Sequence, residues 1–96
     1  MKFEWDTQKY ADNLEKHGVD FIEAILIFEN PVLERIDSRK DYGEIRYQAV
    51  GVADDECFSI IYTWRGDNRR IISAWRLGKD GKRKYYDYIA RASKET

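Results

Sequence analysis

Two alternating apolar runs separated by two residues constrain this chain more than any other feature. Cys57 to Arg65 and Asn68 to Leu77 each read as a strand, with Gly66-Asp67 between them. A Gly-Asp pair in that setting is a two-residue hairpin turn of type II′, with glycine where φ must be positive. The turn fixes a register: Arg65 opposes Asn68, Thr63 opposes Arg70, Ile61 opposes Ile72, Ser59 opposes Ala74, and Cys57 opposes Arg76. One side of the hairpin then carries Arg65, Arg70 and Arg76 among small residues. The other side collects Phe58, Ile60, Tyr62, Trp64, Ile71, Trp75 and Leu77, with Arg69 at the turn end. That bulky side should bury against helices, and a slip of one residue would exchange the two sides.

The elements around the hairpin follow from local signals. Phe3 and Trp5 alternate with charges and predict a short opening strand. Asp6 caps a helix from Thr7 to about Lys16, and His17-Gly18 ends it, with Gly18 in the left-handed conformation. Asp20 and Glu23 have capping-box spacing, with Val19 and Ala24 as the staple. This second helix runs through Ile25, Leu26 and Phe28 to the stop at Asn30-Pro31. Val32 to Ile36 and Ile45 to Val50 have strand period, separated by a polar loop. Ala53 to Glu56 is a turn, and a closing helix runs from Asp80 to about Ser93. The order is β-α-α-β-β-β-β-α, a two-layer α+β domain over residues 1–96 with a largely antiparallel sheet.

Ninety-six residues allow one modest core. Charges at Lys2, Glu4 and Asp6 leave no room for a secretory signal, and Ala24 to Phe28 is too short to span a membrane. A cytoplasmic protein without membrane attachment is expected. The single cysteine, Cys57, forms no internal disulfide and reads as a buried strand residue. One His and one Cys so far apart offer no zinc spacing. There is no phosphate-cradling glycine loop and no nucleophile elbow, so neither metal nor cofactor is expected.

The net charge of −1 conceals an asymmetry. Residues 65–84 contain Arg65, Arg69, Arg70, Arg76, Lys79, Lys82, Arg83 and Lys84 against only Asp67 and Asp80, while the preceding residues are strongly acidic. Arginine-rich and interleaved with Trp75, Tyr85 and Tyr86, the segment has the composition of a nucleic-acid footprint. Guanidinium forks match phosphate oxygens and keep their charge, and exposed tyrosines stack on bases. The plainer alternative is a solvated sheet face paired with the acidic surface.

An ordered set of residues resembles the BrnT toxin family. Phe3-Glu4-Trp5-Asp6, Lys9, Asn13, Lys16-His17-Gly18-Val19, Phe21 and Glu23-Ala24 form its opening. Phe28, Asn30-Pro31, Gly43-Glu44, Arg46-Tyr47, Thr63-x-Arg65-Gly66 and Arg70-Ile71-Ile72-Ser73-Ala74 continue it in order, to about Tyr85. The resemblance implies a RelE-like ribonuclease fold and an endoribonuclease that inhibits translation and growth. It also implies neutralisation by a BrnA-type antitoxin, with operator DNA bound only through the antitoxin complex. Two positions depart from the family: Trp75 stands where a second arginine is usual, and Gly81 where a glutamate is usual.

RNA cleavage without metal requires deprotonation of the 2′-hydroxyl, stabilisation of the phosphorane and protonation of the 5′-oxygen. Arg65 and Arg76 are the arginines expected to stabilise charge, with Arg70 between them. His17 is the sole histidine, and imidazole suits proton transfer near neutrality, although a helix C-terminal position also suits a capping role. Glu44 is the candidate carboxylate base or a salt-bridge partner of Arg46. Lys16, Arg46, Lys79 and Arg83 are candidate phosphate ligands, and Tyr85 a candidate stacking residue. The competing reading is a non-catalytic module that holds nucleic acid or an acidic protein on the basic face.

Overall fold

The computed structural model describes residues 2–94; Met1, Glu95 and Thr96, the ends of the expected domain, lie outside the described residues. β1 (Lys2–Trp5) leads into α1 (Thr7–His17). The Asp6 carboxylate accepts from the Lys9 amide at 3.0 Å, satisfying a donor of the first turn. Gly18 closes α1 at φ 65°, and its N–H donates to the Leu14 carbonyl.

α2 (Phe21–Ala24) starts on Asp20, whose carboxylate accepts from the Ile22 amide at 2.8 Å. Only half of the capping box forms, because Glu23 turns outward to Arg76. The chain continues as a 3-10 segment, Ile25–Glu29, rather than as α-helix. Ile27, on this more tightly wound segment, is fully buried in the core, and Val19, Phe21 and Ala24 are fully buried beside it.

β2 (Leu33–Ile36), β3 (Tyr47–Ala53), β4 (Glu56–Arg65) and β5 (Asn68–Arg76) follow, then α3 (Lys79–Lys94). The sheet order is β1-β5-β4-β3-β2. β1 runs parallel to β5 and every other pair is antiparallel. The expected α+β class and element order are thus present. β3 starts two residues later than the alternation predicts, leaving Ile45 exposed outside it. Its turn to β4 uses Asp54 and Asp55, both at positive φ, a conformation that aspartate tolerates better than most residues.

The hairpin register holds only near the turn. Gly66 is left-handed at φ 58°, as a type II′ turn requires, and Arg65 pairs with Asn68 and Thr63 with Arg70. Between Ile61 and Tyr62 the register shifts, so that Tyr62 faces Ile71 but Ile61 faces Ser73. Ile72 is the extra residue of a β-bulge. Beyond it every β5 side chain changes side. Ala74 joins the core opposite Ile60, Arg76 falls opposite Phe58 on the helix-covered side, and Trp75 moves to the opposite side beside Ser59. The expected common face for Arg65, Arg70 and Arg76 is therefore not formed.

The core lies between the sheet and the α1–α2 layer, built on Phe21, Ile27, Phe58, Ile60, Tyr62 and Ile71. Trp64, expected there, is 43% exposed at the hairpin end. On the far side of the sheet α3 leans over the β2–β3 end, where Tyr85 is buried and its hydroxyl donates to the Pro31 carbonyl. No helix among the described residues is long and apolar enough to cross a membrane.

Candidate nucleic-acid interface

The sequence-predicted site residues fall into two groups at opposite ends of β5, with Lys79, Arg83 and Tyr85 apart on α3. The first surrounds the hairpin turn. The Arg70 guanidinium donates to Glu4 at 2.7 Å, and the Asn68 amide donates to the same carboxylate at 3.1 Å. These two bonds, Asn68 first, hold the Glu4 carboxyl below its ordinary value. Glu44 accepts from Arg46 at 3.1 Å and lies 4.0 Å from Arg65. Arg46 also stacks over the Tyr42 ring at 4.0 Å. Thr63 donates its hydroxyl to the Ile45 carbonyl, tying the loop before β3 to the hairpin. Glu44 thus has ion-pair partners on both sides, and Arg65, 57% exposed, is the most open of the three arginines here.

The second group lies past the bulge. Lys16 and His17, on the last turn of α1, meet Ser73, Trp75 and Arg76 of β5 and Arg39 in a cleft of about 530 Å³. A smaller groove continues from Lys16, His17 and Ser73 along α1 to Lys9. The His17 and Trp75 rings are 6.0 Å apart, inclined at 38°. Arg76 donates to the Gly18 carbonyl at 3.3 Å and pairs with Glu23 and Glu56 at 3.4 and 3.3 Å, remaining 40% exposed. Those partners hold its guanidinium beside the end of α1, at the edge of the cleft that the residue helps to line.

Arg39 is a cleft residue that the polar loop did not reveal. Its guanidinium clamps Asp37 through two bonds, at 2.8 and 3.0 Å, and its amide donates to the same carboxylate. Tyr42 adds a hydroxyl donor at 3.1 Å, and the Asp37 N–H donates to the Arg46 carbonyl. The Arg39 guanidinium, more than the other donors, pulls the Asp37 carboxyl down to about 2. Asp37 is buried while the Arg39 side chain is 65% exposed, so the cation is anchored at its base and open to the cleft. A short Asp-Ser-Arg step between strands was the only trace of this arrangement in the sequence.

Arg65 and Arg76 do not converge. Arg76 pairs with Phe58, seven residues before Arg65 on β4, so about 23 Å of strand separates them. One phosphate cannot touch both. Lys79 and Arg83 lie exposed on the first turns of α3, with Arg83 paired to Asp80 at 3.5 Å. Tyr85 is not available to stack on a base, because its ring is buried and its hydroxyl is engaged. Burial raises its phenol above the ordinary value, and Cys57 is raised for the same reason. Tyr86, next in the chain, is the exposed ring.

The fold is thus a five-stranded α+β domain with cationic groups at both ends of one strand. The family model described as "Ribonuclease toxin, BrnT, of type II toxin-antitoxin system" matches residues 5–80, and the chain belongs to that family. A crystal structure of the Brucella abortus ribonuclease toxin, BrnT, is similar in fold, with a TM-score of 0.62 and 24% sequence identity. The match covers 82% of this chain and 99% of that one. No curated protein matches the chain.

Proposed function

We propose that this chain is an endoribonuclease toxin that cuts single-stranded RNA in the cleft formed by Lys16, His17, Arg39, Ser73, Trp75 and Arg76. The observation that carries the reading is that cleft, which joins the sole imidazole to three cations. His17 is the proton-transfer group: its imidazole takes the proton of the 2′-hydroxyl and, as the imidazolium so formed, returns it to the departing 5′-oxygen. Lys16, Arg39 and Arg76 oppose the charge that grows on the phosphorane, and their fixed positions are what makes such stabilisation effective. Every task falls to a side chain, so the reading needs no metal. Arg70 and Arg65 continue the cationic track along the hairpin and guide the strand by its phosphates rather than by base identity. Glu44 orders the Arg46 and Arg65 pair in this scheme and takes no proton from the substrate. Growth inhibition follows from loss of messenger RNA. Restraint falls to a BrnA-type antitoxin, and operator DNA is reached only through that complex in the cytoplasm.

The test incubates purified, antitoxin-free protein with RNA in excess chelator. Wild type is expected to leave 2′,3′-cyclic phosphate ends, and His17→Ala to slow cutting at least about 100-fold. RNA left intact by a folded wild-type protein would sink the enzymatic reading. Binding without cutting would instead make the basic surface a holding module.

A further inference from the structure

We infer that Trp75 is a stacking platform for a nucleobase next to the phosphate that binds in the cleft, an inference that rests on the RNA reading above. The three tryptophans of the chain have different surroundings. Trp5 packs against Tyr10 and Phe21 in the apolar layer. Trp64 meets the Tyr62 ring edge-on and has the Arg69 guanidinium 4.6 Å above it. Trp75 is placed by the Ile72 bulge on the side of the sheet away from that core, half-buried, between Ser73 and Arg76 on the cleft wall.

A regular hairpin would have buried this indole. The bulge instead sets the largest flat apolar surface in the cleft among Lys16, Arg39 and Arg76. An aromatic plane flanked by cations suits one ligand chemistry in particular, a base attached to a charged backbone. The ring holds the base by stacking and the cations hold the phosphates on either side. Duplex RNA offers no unstacked base to such a wall, so the platform selects single strands, loops and ends. Its tolerance is broad, since every base presents a π-face. Trp75 is then a positioning residue that sets which phosphate reaches His17.

The test uses two probes that cannot be cut. One is an eight-nucleotide 2′-O-methyl RNA, and the other is the same backbone carrying no bases. Wild type should bind the base-bearing strand about tenfold more tightly. Trp75→Leu, which keeps apolar bulk but lacks a π-face, should lose that preference, and Trp75→Phe should keep most of it. Thermal melting of each variant confirms folding, and Trp75→Met, a second apolar side chain without a π-face, carries the same expectation if the leucine variant does not fold. A preference that survives Trp75→Leu, or a wild type indifferent to bases, overturns the platform while leaving RNA binding intact. Failure of wild type to bind either strand at low salt overturns the RNA reading and the platform together.

Discussion

Asn13 and Ala74 are joined by a reciprocal pair of hydrogen bonds that does the work of a neighbouring strand. The Asn13 amide donates to the Ala74 carbonyl at 2.9 Å, and the Ala74 N–H donates to the Asn13 carbonyl oxygen at 3.0 Å. β1 reaches only as far as Ile71, so β5 beyond that point would present unpaired backbone to α1. The same amide also donates to the Val19 carbonyl at 3.0 Å, so one buried side chain fixes the end of α1 to the strand just past the bulge.

Asn13→Ala should therefore lower unfolding free energy by about 3 kcal/mol, since it leaves several buried backbone groups unsatisfied. Asn13→Asp should be no better, because an ionised carboxylate would face the Val19 and Ala74 carbonyls. Urea unfolding of the two variants checks this, and a loss under about 0.5 kcal/mol for both would show that water replaces the amide without cost.

Gly51 gives a second stability prediction. A Cβ at this position would stand 2.9 Å from the Ile27 Cβ and 3.1 Å from the Val32 Cγ1, with the Ile27 carbonyl at 3.5 Å. The nearest of these is at the root of a fully buried side chain, which has little freedom to retreat. Gly51→Ala should cost about 1–3 kcal/mol by overpacking, seen as a lower melting temperature. An unchanged melting temperature would mean that the 3-10 segment carrying Ile27 shifts freely.

The turn at Gly66-Asp67 and the pairs beside it were legible because turn chemistry fixes register locally. The bulge was not legible, for a physical reason. Ile71 and Ile72 are both apolar, so alternation on either side of them fits a straight strand as well as a bulged one. The straight reading even looked better, because it buried Trp75 and exposed Arg76. What decides otherwise is tertiary: Asn13 claims the Ala74 backbone, and the Ala74 side chain is fully buried on the core side there. The cleft inherits this limit. Lys16, His17 and Arg76 were visible as candidates, but their meeting with Trp75 depends on the bulge, and Arg39 depends on the Asp37 anchor.

That anchor makes the loop acid-sensitive. The Asp37 carboxyl titrates at about 2 when folded, below the ordinary value of 3.8, chiefly because of the Arg39 guanidinium. A group lowered on folding stabilises the native state above its unfolded pKa, and that contribution fades as pH falls through the folded value. The effect is at most about 2 kcal/mol, reduced by solvent around the open Arg39 side chain. Asp37→Asn should remove it, so wild type and variant should differ above pH 4 and converge towards pH 2. A constant difference across that window would assign the loss to packing rather than to charge.

Cys57 should be chemically silent in the native protein. Its side chain is buried in β4, and desolvation raises the thiol above its ordinary value, so little thiolate forms and reagents have no access. A thiol reagent at neutral pH is expected to label it only after denaturant is added. Rapid labelling of the native protein would place β4 in an opening equilibrium that its central position in the sheet argues against.

The cations of the hairpin end should separate by their surroundings. Arg65 is 57% exposed and loosely held 4.0 Å from Glu44, so it can neutralise a phosphate and release a counterion. Arg69, two residues past the turn, points to the other side, where its guanidinium lies 4.3 Å over Phe28 and 4.6 Å over Trp64 with only 14% of the side chain exposed. Arg65→Ala should reduce the slope of log affinity for single-stranded RNA against log salt by about 0.7. Arg69→Ala should leave that slope unchanged and lower stability instead, because the ring cage loses its filling cation. Titrations of both variants at several salt concentrations, paired with thermal melts, distinguish the roles. Equal slope changes for the two would mean that the Arg69 side chain leaves its cage to meet the strand.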